Sequence, residues 1–310
     1  MFSISSVLMG DKKIIEVANR ATGKTFAETV LSEDGMRVLY GTRYGVALTS
    51  KFLSNQWVSK LYGAYNDSAA SKHKIEEFAS ALNIDLAECE KDIAEYYSFN
   101  DFFARKLKSG SRPIAAGDRV IVSPGDGRLL VFPQVGQTTL SYVKWAPIKL
   151  LDLFGGREEH AKRYSEGSAL VLRLCPADYH RFHFPLSGKV SIAHTIEGLL
   201  HSVNPYAIES ELPVYCLNKR TICEIDSDFA GKVMFMEVGA LFVGSIVQTY
   251  RAGMHVKKGD EKGYFKFGGS TVICFFENGA VEFDSDIIQN TTNGLETFVK
   301  MGEKIAQVKY

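Results

Sequence analysis

The ten residues SGSRPIAAGD at positions 109–118 divide the sequence into two parts of different character. They are rich in glycine, proline and serine, which is typical of a turn-rich boundary between structural units. Before them, apolar side chains recur at helical spacing. After them, short apolar runs alternate with Gly, Pro and Asp. The sequence therefore predicts an α+β protein in which a helical N-terminal region, residues 1–110, packs on a β-rich core, residues 111–310.

Helical periodicity recurs along the first part of the chain. Apolar residues spaced three and four apart predict a helix over residues 68–82. Asp85 and Glu88 have the spacing of a capping box, which predicts a second helix that continues to residue 96. Asn100 is expected to cap a further helical turn.

The stretch YGVALTSKFLSNQWVSKLY at residues 44–62 predicts an amphipathic helix. Its apolar side could pack against the protein's own core, which is the commoner arrangement for such a helix. Trp57, flanked by Lys51 and Lys60, also suits a helix that lies in the headgroup region of a membrane. From this stretch alone, packing against the protein's own core is favoured.

Short runs with strand character follow the boundary. They are rich in β-branched and aromatic residues and are bounded by turn residues. The predicted strands lie at residues 119–122, 169–174, 189–196, 233–238 and 271–276.

Composition excludes some classes of protein. The 310 residues include 36 Lys plus Arg and 36 Asp plus Glu, so the formal net charge is zero. This balance argues against a nucleic-acid partner bound through bulk positive charge. Five cysteines without a C-x-x-C pair favour a reducing compartment over a disulfide framework. The most apolar window, 233–247, is shorter than the roughly 20 residues that a membrane-spanning helix needs.

Two segments offer candidate acid–base residues. The sequence YHRFH at 179–183 places His180 and His183 three residues apart, so that both can reach one site from a turn or a helix. A metal site would need a further ligand, which no Cys/His spacing supplies. The sequence SPGDG at 123–127 has the composition of a tight turn, but Asp126 could also orient a histidine in a catalytic trio.

A third segment offers a nucleophile. GGST at residues 268–271 has the composition of an ordinary loop. The glycine before Ser270 leaves its backbone carbonyl unshielded, so a hydroxyl could approach it. Each of the three segments is weak by itself.

Five segments in this order resemble the phosphatidylserine decarboxylase proenzymes, a family of pyruvoyl-dependent decarboxylases. The similarity runs from about residue 98 to the C-terminus. The segments are NDFFARKLK at 100–108 with RP at 112–113, SPGDG at 123–127, YHRFH at 179–183, SVNP at 202–205, and GDEKGYF at 259–265 leading into GGST at 268–271.

The resemblance implies a β-rich catalytic core that cuts its own chain between Gly269 and Ser270. Asp126 would orient His183, which would deprotonate Ser270 for attack on the preceding carbonyl. A β chain, residues 1–269, and an α chain, residues 270–310, would remain together as a heterodimer. Ser270 would become a pyruvoyl cofactor, and His180 would assist proton transfer during decarboxylation. The resemblance implies no metal.

The resemblance also implies a substrate and a location. The substrate would be phosphatidylserine and the products phosphatidylethanolamine and CO2. The protein would bind a phospholipid membrane surface peripherally, at the cytoplasmic face, through its N-terminal region. Because a lipid substrate requires contact with a bilayer, the membrane-surface interpretation of residues 44–62 becomes about as strong as the core interpretation. Homo-oligomerisation is left open.

Two positions depart from the family pattern, and three alternatives stay open. Gly125 stands where the family usually has alanine, and VKWAP at 143–147 lacks a glycine often found after its lysine, which bears on the substrate pocket. A pyruvoyl decarboxylase of a soluble amino acid is one alternative. A metal-dependent hydrolase that uses His180, His183 and Asp126 as ligands is another. A non-catalytic β-rich binding domain is the third.

Overall fold

The computed structural model describes residues 14–30, 33–136, 139–140, 147–210, 212–241, 245–268 and 270–309. Helices predominate before the boundary and strands after it, which confirms the α+β class. The α-helices are α1 (Glu33–Tyr40), α2 (Arg43–Leu48), α3 (Gln56–Asp67), α4 (Lys74–Ala81), α5 (Phe99–Phe103), α6 (Leu150–Leu153), α7 (Glu158–Arg163), α8 (Pro205–Ile208), α9 (Val214–Leu217) and α10 (Ser285–Thr292).

The strands form one large sheet and three small ones. They are β1 (Glu16–Asn19), β2 (Lys24–Ala27), β3 (Val120–Val122), β4 (Gly127–Phe132), β5 (Thr139–Leu140), β6 (Ile148–Lys149), β7 (Ser168–Leu174), β8 (Arg181–His183), β9 (Gly188–Val190), β10 (His194–Ile196), β11 (Arg220–Ser227), β12 (Gly231–Val238), β13 (Ile246–Gln248), β14 (His255–Val256), β15 (Glu261–Phe265), β16 (Ser270–Phe276), β17 (Val281–Phe283), β18 (Glu296–Val299) and β19 (Lys304–Val308).

The large sheet has the order β14-β9-β11-β12-β16-β7-β4-β18-β1-β2, with β10 paired to β11. Its pairs are antiparallel except for β1 with β18, which is parallel. Every residue of the central strands β7 and β16 is buried. Apolar layers cover both faces of the sheet, so these strands have continuous apolar runs rather than an alternating pattern.

Each face of the large sheet has its own apolar layer. On one face, Leu170 and Leu172 pack with residues of the small sheets β13-β15-β8 and β17-β19-β3. On the other face, Val171 and Ile273 pack with residues of α6, α8 and α9. Successive side chains of a strand point to opposite faces, which places neighbouring residues in different layers.

The helical region packs on the core through an aromatic cluster. Phe78 of α4 and Phe99 and Phe103 of α5 contact Phe267, which lies just before β16. The ring centroids of Phe99 and Phe267 are 4.9 Å apart. The helices therefore contact the segment that leads into Ser270.

Several predicted elements differ in detail. Residues 85–96 form two short 3₁₀ turns, Leu86–Glu88 and Ile93–Glu95, instead of one helix. Between them, Cys89 has an extended backbone and pairs with Leu107 in an isolated β-bridge. This tertiary pairing overrides the helical spacing of the apolar residues.

Caps and breaks also differ from the sequence-based expectations. Ser98, not Asn100, caps α5 through a bond from the backbone N–H of Asp101. Residues 44–62 contain α2, a π-turn at Thr49–Leu53 and the beginning of α3, rather than one continuous helix. Residues 189–196 hold the two short strands β9 and β10. The hairpin β1–β2, at the edge of the large sheet, was not predicted.

Four predicted strands are confirmed, in β3, β7, β12 and β16. In the part of the chain that the structure describes, no helix has both the length and the apolar character to cross a bilayer.

Candidate active site

Ser270 is the first residue of β16, at the centre of the large sheet. It pairs with Leu174 of β7 and is fully buried. Gly268, two residues earlier, has φ +136°, a conformation that favours glycine. Gly269, on the other side of the predicted cleavage bond, lies outside the described residues.

His180 contacts the hydroxyl group of Ser270. The distance from His180 Nδ1 to Ser270 Oγ is 3.3 Å, and Nε2 lies 2.9 Å from the carbonyl oxygen of Cys175. A carbonyl oxygen only accepts hydrogen bonds, so Nε2 carries the hydrogen and the Nδ1 lone pair faces Ser270. The ring of Phe103 stacks on the imidazole, with centroids 3.9 Å apart.

His180 is neutral at physiological pH. Burial, the largest cause, and the positive charge of Arg105 lower its pKa to about 3, although the hydrogen bond to Cys175 acts in the opposite direction. Both effects disfavour the charged imidazolium form. His180 therefore lies next to Ser270 in the neutral tautomer whose Nδ1 can accept a proton from the hydroxyl group.

His183 makes other contacts. Its Nδ1 lies 2.9 Å from the carbonyl oxygen of Gly259, so Nδ1 carries the hydrogen and Nε2 accepts from the Tyr179 hydroxyl at 3.1 Å. Burial lowers the pKa of His183, against smaller raising effects that include the charge of Asp126. His183 is thus neutral, and its ring nitrogens bond to Gly259 and Tyr179 rather than to Ser270.

Asp126 pairs with Arg112 instead of with a histidine. Arg112 Nε and Nη2 donate to its carboxylate at 2.6–3.0 Å, and the backbone N–H of Met301 donates at 2.8 Å. Among the described residues, no hydrogen bond joins Asp126 to His183 or His183 to Ser270. Of the predicted site residues, the structure brings His180 to Ser270, while Asp126 and His183 lie beside them.

A buried ionic network lies behind the site. Arg173 of β7 forms ion pairs with Glu28 and Glu296, and Arg128 of β4 pairs with Glu28 and Asp178. The two arginines outweigh the effect of burial and hold the pKa of Glu28 at about 2. Network residues therefore come from the N-terminal hairpin region, the central strands and the C-terminal segment.

The network also fixes the acceptor of His180. The Asp178 carboxylate accepts from the backbone N–H of Cys175 at 2.6 Å, and the N–H of Asp178 donates to the Cys175 carbonyl at 2.9 Å. These two bonds close the turn at residues 175–178. No role was predicted for Arg105, Arg112 or Asp178, although all three lie in or beside the quoted motifs.

The helical region holds the segment before Ser270. The side-chain oxygen of Asn100 accepts from the backbone N–H of Phe267 at 2.9 Å, and Lys266 pairs with Asp67 of α3 at 2.8 Å. Asn100 therefore fixes the approach to the nucleophile rather than capping a helix.

A cavity of about 210 Å³ borders the same segment at Phe267 and Gly268. Met36 of α1 and Tyr62 of α3 form part of its mostly apolar wall. Ser202 and Asn204, from the SVNP motif, are among its polar lining residues. Residues 143–146, predicted to bear on the substrate pocket, lie outside the described residues.

In the ranges that the structure covers, no three His, Cys, Asp or Glu side chains are arranged to hold a metal ion. The nitrogens of His180 and His183 are engaged in the hydrogen bonds described above.

Comparisons with known proteins agree with the motifs. The model of the family described as phosphatidylserine decarboxylase matches residues 99–307. A phosphatidylserine decarboxylase proenzyme of Clostridium botulinum (strain Kyoto) is 41% identical over 296 residues, covering 96% of this chain and 100% of the relative. The proenzyme of Fusobacterium nucleatum is 40% identical, covering 95% and 98%. That of Clostridium perfringens is 42% identical, covering 94% and 99%.

Proposed function

The chain belongs to the phosphatidylserine decarboxylase family and is a decarboxylase, and on this premise we propose that it is a self-cleaving proenzyme for phosphatidylserine. It cuts the bond between Gly269 and Ser270 and then converts phosphatidylserine to phosphatidylethanolamine and CO2. The observation that carries the proposal is the buried contact of Ser270 Oγ with a neutral His180, beside an apolar cavity.

Self-cleavage with pyruvoyl formation consumes one water molecule and needs no other reagent. The Ser270 oxygen bonds to the carbonyl carbon of Gly269 as the peptide C–N bond breaks, giving an ester and an amino group. Loss of the Cα proton and of the Gly269 carboxylate leaves a dehydroalanine at position 270. Water then replaces the nitrogen, which departs as ammonia, and the new N-terminus of the α chain is a pyruvoyl group.

The residues present fit a pyruvoyl group, because it derives from Ser270 itself and needs no separate binding site. Ser270 is fully buried, and its hydroxyl faces an imidazole that can accept a proton. The group supplies an electron sink for the pair released as CO2 leaves. Phe103 and the surrounding apolar side chains exclude water from this point.

The two histidines suit the two proton transfers that the activity requires. By the family resemblance, His183 with Asp126 takes the proton of Ser270 during self-cleavage, and His180 assists proton transfer during decarboxylation. The negative charge of Asp126, which favours protonation of His183, supports the first assignment. The 3.3 Å contact favours a second candidate, in which His180 also serves self-cleavage.

A lipid substrate is favoured over a soluble amino acid by the exposed surface of the helical region. Two rows of apolar side chains recur four residues apart: Tyr44, Leu48 and Phe52, then Trp57, Leu61 and Tyr65. Tyr44 is 88% exposed and Leu61 is 66% exposed. Together these six residues form the exposed apolar surface, which suits peripheral contact with a bilayer at its cytoplasmic face.

Helix α3 contributes residues both to the cavity and to the exposed apolar surface. Tyr62, which lines the cavity, belongs to the same helix α3 as Trp57 and Leu61. A lipid that remains in a membrane under this helix needs only a short path to the site.

After cleavage, the two chains are expected to stay together as a heterodimer. The α chain, residues 270–310, would include β16, which lies between β12 and β7, and β18, which lies between β1 and β4. The ion pair between Arg173 and Glu296 would join the two chains. Separation would expose fully buried strands to water.

The intact mass of the purified protein under denaturing conditions tests the processing. We expect two chains that break after Gly269, the smaller lighter than the serine-started peptide by one ammonia. One uncut chain of 34.4 kDa would contradict the proposal. Release of CO2 from phosphatidylserine vesicles and not from free serine tests the substrate, and the reverse result would favour the soluble amino acid.

A further inference from the structure

Three buried arginines and the partly buried Arg112 lie around the site, and they differ in how their charge is offset. Three of them form ion pairs with carboxylates. Among the described residues, Arg105 forms no ion pair, although it is only 5% exposed. The three paired arginines are Arg112, with Asp126 and Glu88, Arg128, with Glu28 and Asp178, and Arg173, with Glu28 and Glu296.

Arg105 binds the turn that precedes His180. Its Nη2 donates to the carbonyl oxygens of Ala177, at 3.0 Å, and Asp178, at 3.1 Å. Within the described residues, its Nε and Nη1 have no hydrogen-bond partner. Its guanidinium carbon lies 5.3 Å from the ring centroid of Phe102. The side chain is therefore a buried cation with two carbonyl partners and no counter-ion.

The same chain segment holds His180 on two sides. Phe103, two residues before Arg105, stacks on the imidazole ring. Arg105 fixes the turn whose first carbonyl, that of Cys175, accepts the Nε2 hydrogen of His180. Changes in this turn would therefore change which nitrogen of His180 faces Ser270.

The charge of Arg105 is only partly offset, because the carboxylates of Asp126 and Asp178 that act on it each pair with another arginine. Arg128 of β4, the partner of Asp178, also opposes protonation of His180. Burial raises the pKa of the Cys175 thiol well above its ordinary value, so this thiol is neutral. Ser270 on β16 is uncharged, and Phe265 of β15 contributes only a backbone N–H to the His180 carbonyl. Like charges disfavour one another, so the Arg105 cation opposes protonation of the imidazole.

We propose that Arg105 is a positioning residue for His180: it holds the imidazole with Nδ1 toward Ser270, in surroundings that oppose its protonation. Arg105 holds the turn at residues 175–178 through the carbonyls of Ala177 and Asp178, and its charge adds to burial in favouring the uncharged imidazole. The positive charge of Arg105, which lowers the pKa of His180 in addition to the effect of burial, agrees with this role. The inference rests on the proposed function only in treating His180 as a reacting group.

Titration of the histidines by NMR tests the proposal without any activity. The uncut Ser270→Ala chain serves as the parent, and His180→Gln assigns the resonance. In the parent, we expect His180 to titrate only well below about pH 5, so the titration extends to the lowest pH at which the chain stays folded. Arg105→Gln is expected to raise the pKa of His180 by about one unit or more, because the opposing charge is gone. Arg105→Lys keeps the charge and should leave the pKa low.

Two controls make the result decisive. His201 is also buried, and burial alone lowers its pKa to about 4, so its resonance should not respond to any change at Arg105. Cys89→Asp, which places a carboxylate near the guanidinium while Arg105 keeps its contacts with the turn, should raise the pKa of His180 as Arg105→Gln does. This variant serves if Arg105→Gln does not fold. An unchanged pKa of His180 in the folded neutralised variant would overturn the proposal.

Discussion

The helical region and the β core differ in how far their large apolar side chains are exposed to solvent. In the core, every residue of β7 and β16 is buried, and apolar layers cover both sheet faces. In the helical region, α2, the π-turn and α3 leave six large apolar side chains largely exposed. The difference fits the proposal that the core carries chemistry in a dry, fixed environment, while the helical region contacts a membrane surface.

The two regions are not independent. From the helical side, Phe103 stacks on His180 and Arg105 binds the turn before it. Glu28, in the N-terminal region, pairs with Arg173 and Arg128 of the core. Variants in each region should therefore affect different measurements, and variants at the contacts between them should affect both.

The largest effect is expected in the core, at the nucleophile. Ser270→Ala should leave one uncut chain without decarboxylase activity, because no other atom at that position can attack the preceding carbonyl. Denaturing gels and intact mass give the result. Thr271→Val, which removes the neighbouring buried hydroxyl, is the matched control and should still be cut. Two fragments from Ser270→Ala would remove Ser270 from the mechanism.

The next effect separates the two histidines. His180→Ala should still cut itself but decarboxylate at least about 100-fold more slowly, because a positioned proton-transfer group is lost. His183→Ala should stay uncut. Cleavage is followed by mass and decarboxylation by CO2 release.

The opposite pattern, an uncut His180→Ala chain and a cut His183→Ala chain, would mean that the observed contact with Ser270 identifies the base of self-cleavage. Full decarboxylase activity in His180→Ala would exclude this residue from the decarboxylation.

A change at the contact between the regions should affect stability. Glu28→Gln is expected to lower the free energy of unfolding by about 2–4 kcal/mol at neutral pH, because it leaves two buried arginines less well compensated. Urea unfolding gives the measurement. Glu16→Gln, at an exposed position of the same N-terminal hairpin, is the control and should have little effect.

The stabilisation that Glu28 contributes should depend on pH, because the pKa of Glu28 is lowered to about 2 in the folded protein. The stabilisation is fully present above the ordinary pKa of a glutamate and is lost as the pH falls toward about 2. The difference between wild type and Glu28→Gln should therefore shrink below about pH 4.5. A difference that stays constant as the pH falls would contradict an ionic origin.

The smallest effect is expected on the exposed apolar surface. Replacing both Trp57 and Leu61 by serine should weaken binding to phospholipid vesicles by about tenfold, because less apolar area enters the bilayer. Self-cleavage should be unchanged. Ile192→Ser removes a similarly exposed side chain, 60% exposed, from the β core and should not affect vesicle sedimentation. Equal binding of all three proteins would remove this surface from membrane contact.

The sequence predicted the strands of the core more accurately than the helices before it. Strands such as β12 and β16 are long apolar runs with clear boundaries, so local pattern and burial agree. Residues 85–96 have helical spacing, but the pairing of Cys89 with Leu107 extends the chain there. A partner distant in sequence cannot be recognised from local periodicity.

By itself, the sequence determined the α+β class, the central strands and the family, through side-chain types and spacing that are local properties. Only the tertiary structure decided which histidine meets Ser270. His180 and His183 were expected to converge from a turn or helix. His183 instead lies in the strand β8, and residues three apart along an extended chain point to opposite sides. Cys175, Phe103 and Arg105, brought together from distant segments, then fix His180 against the nucleophile.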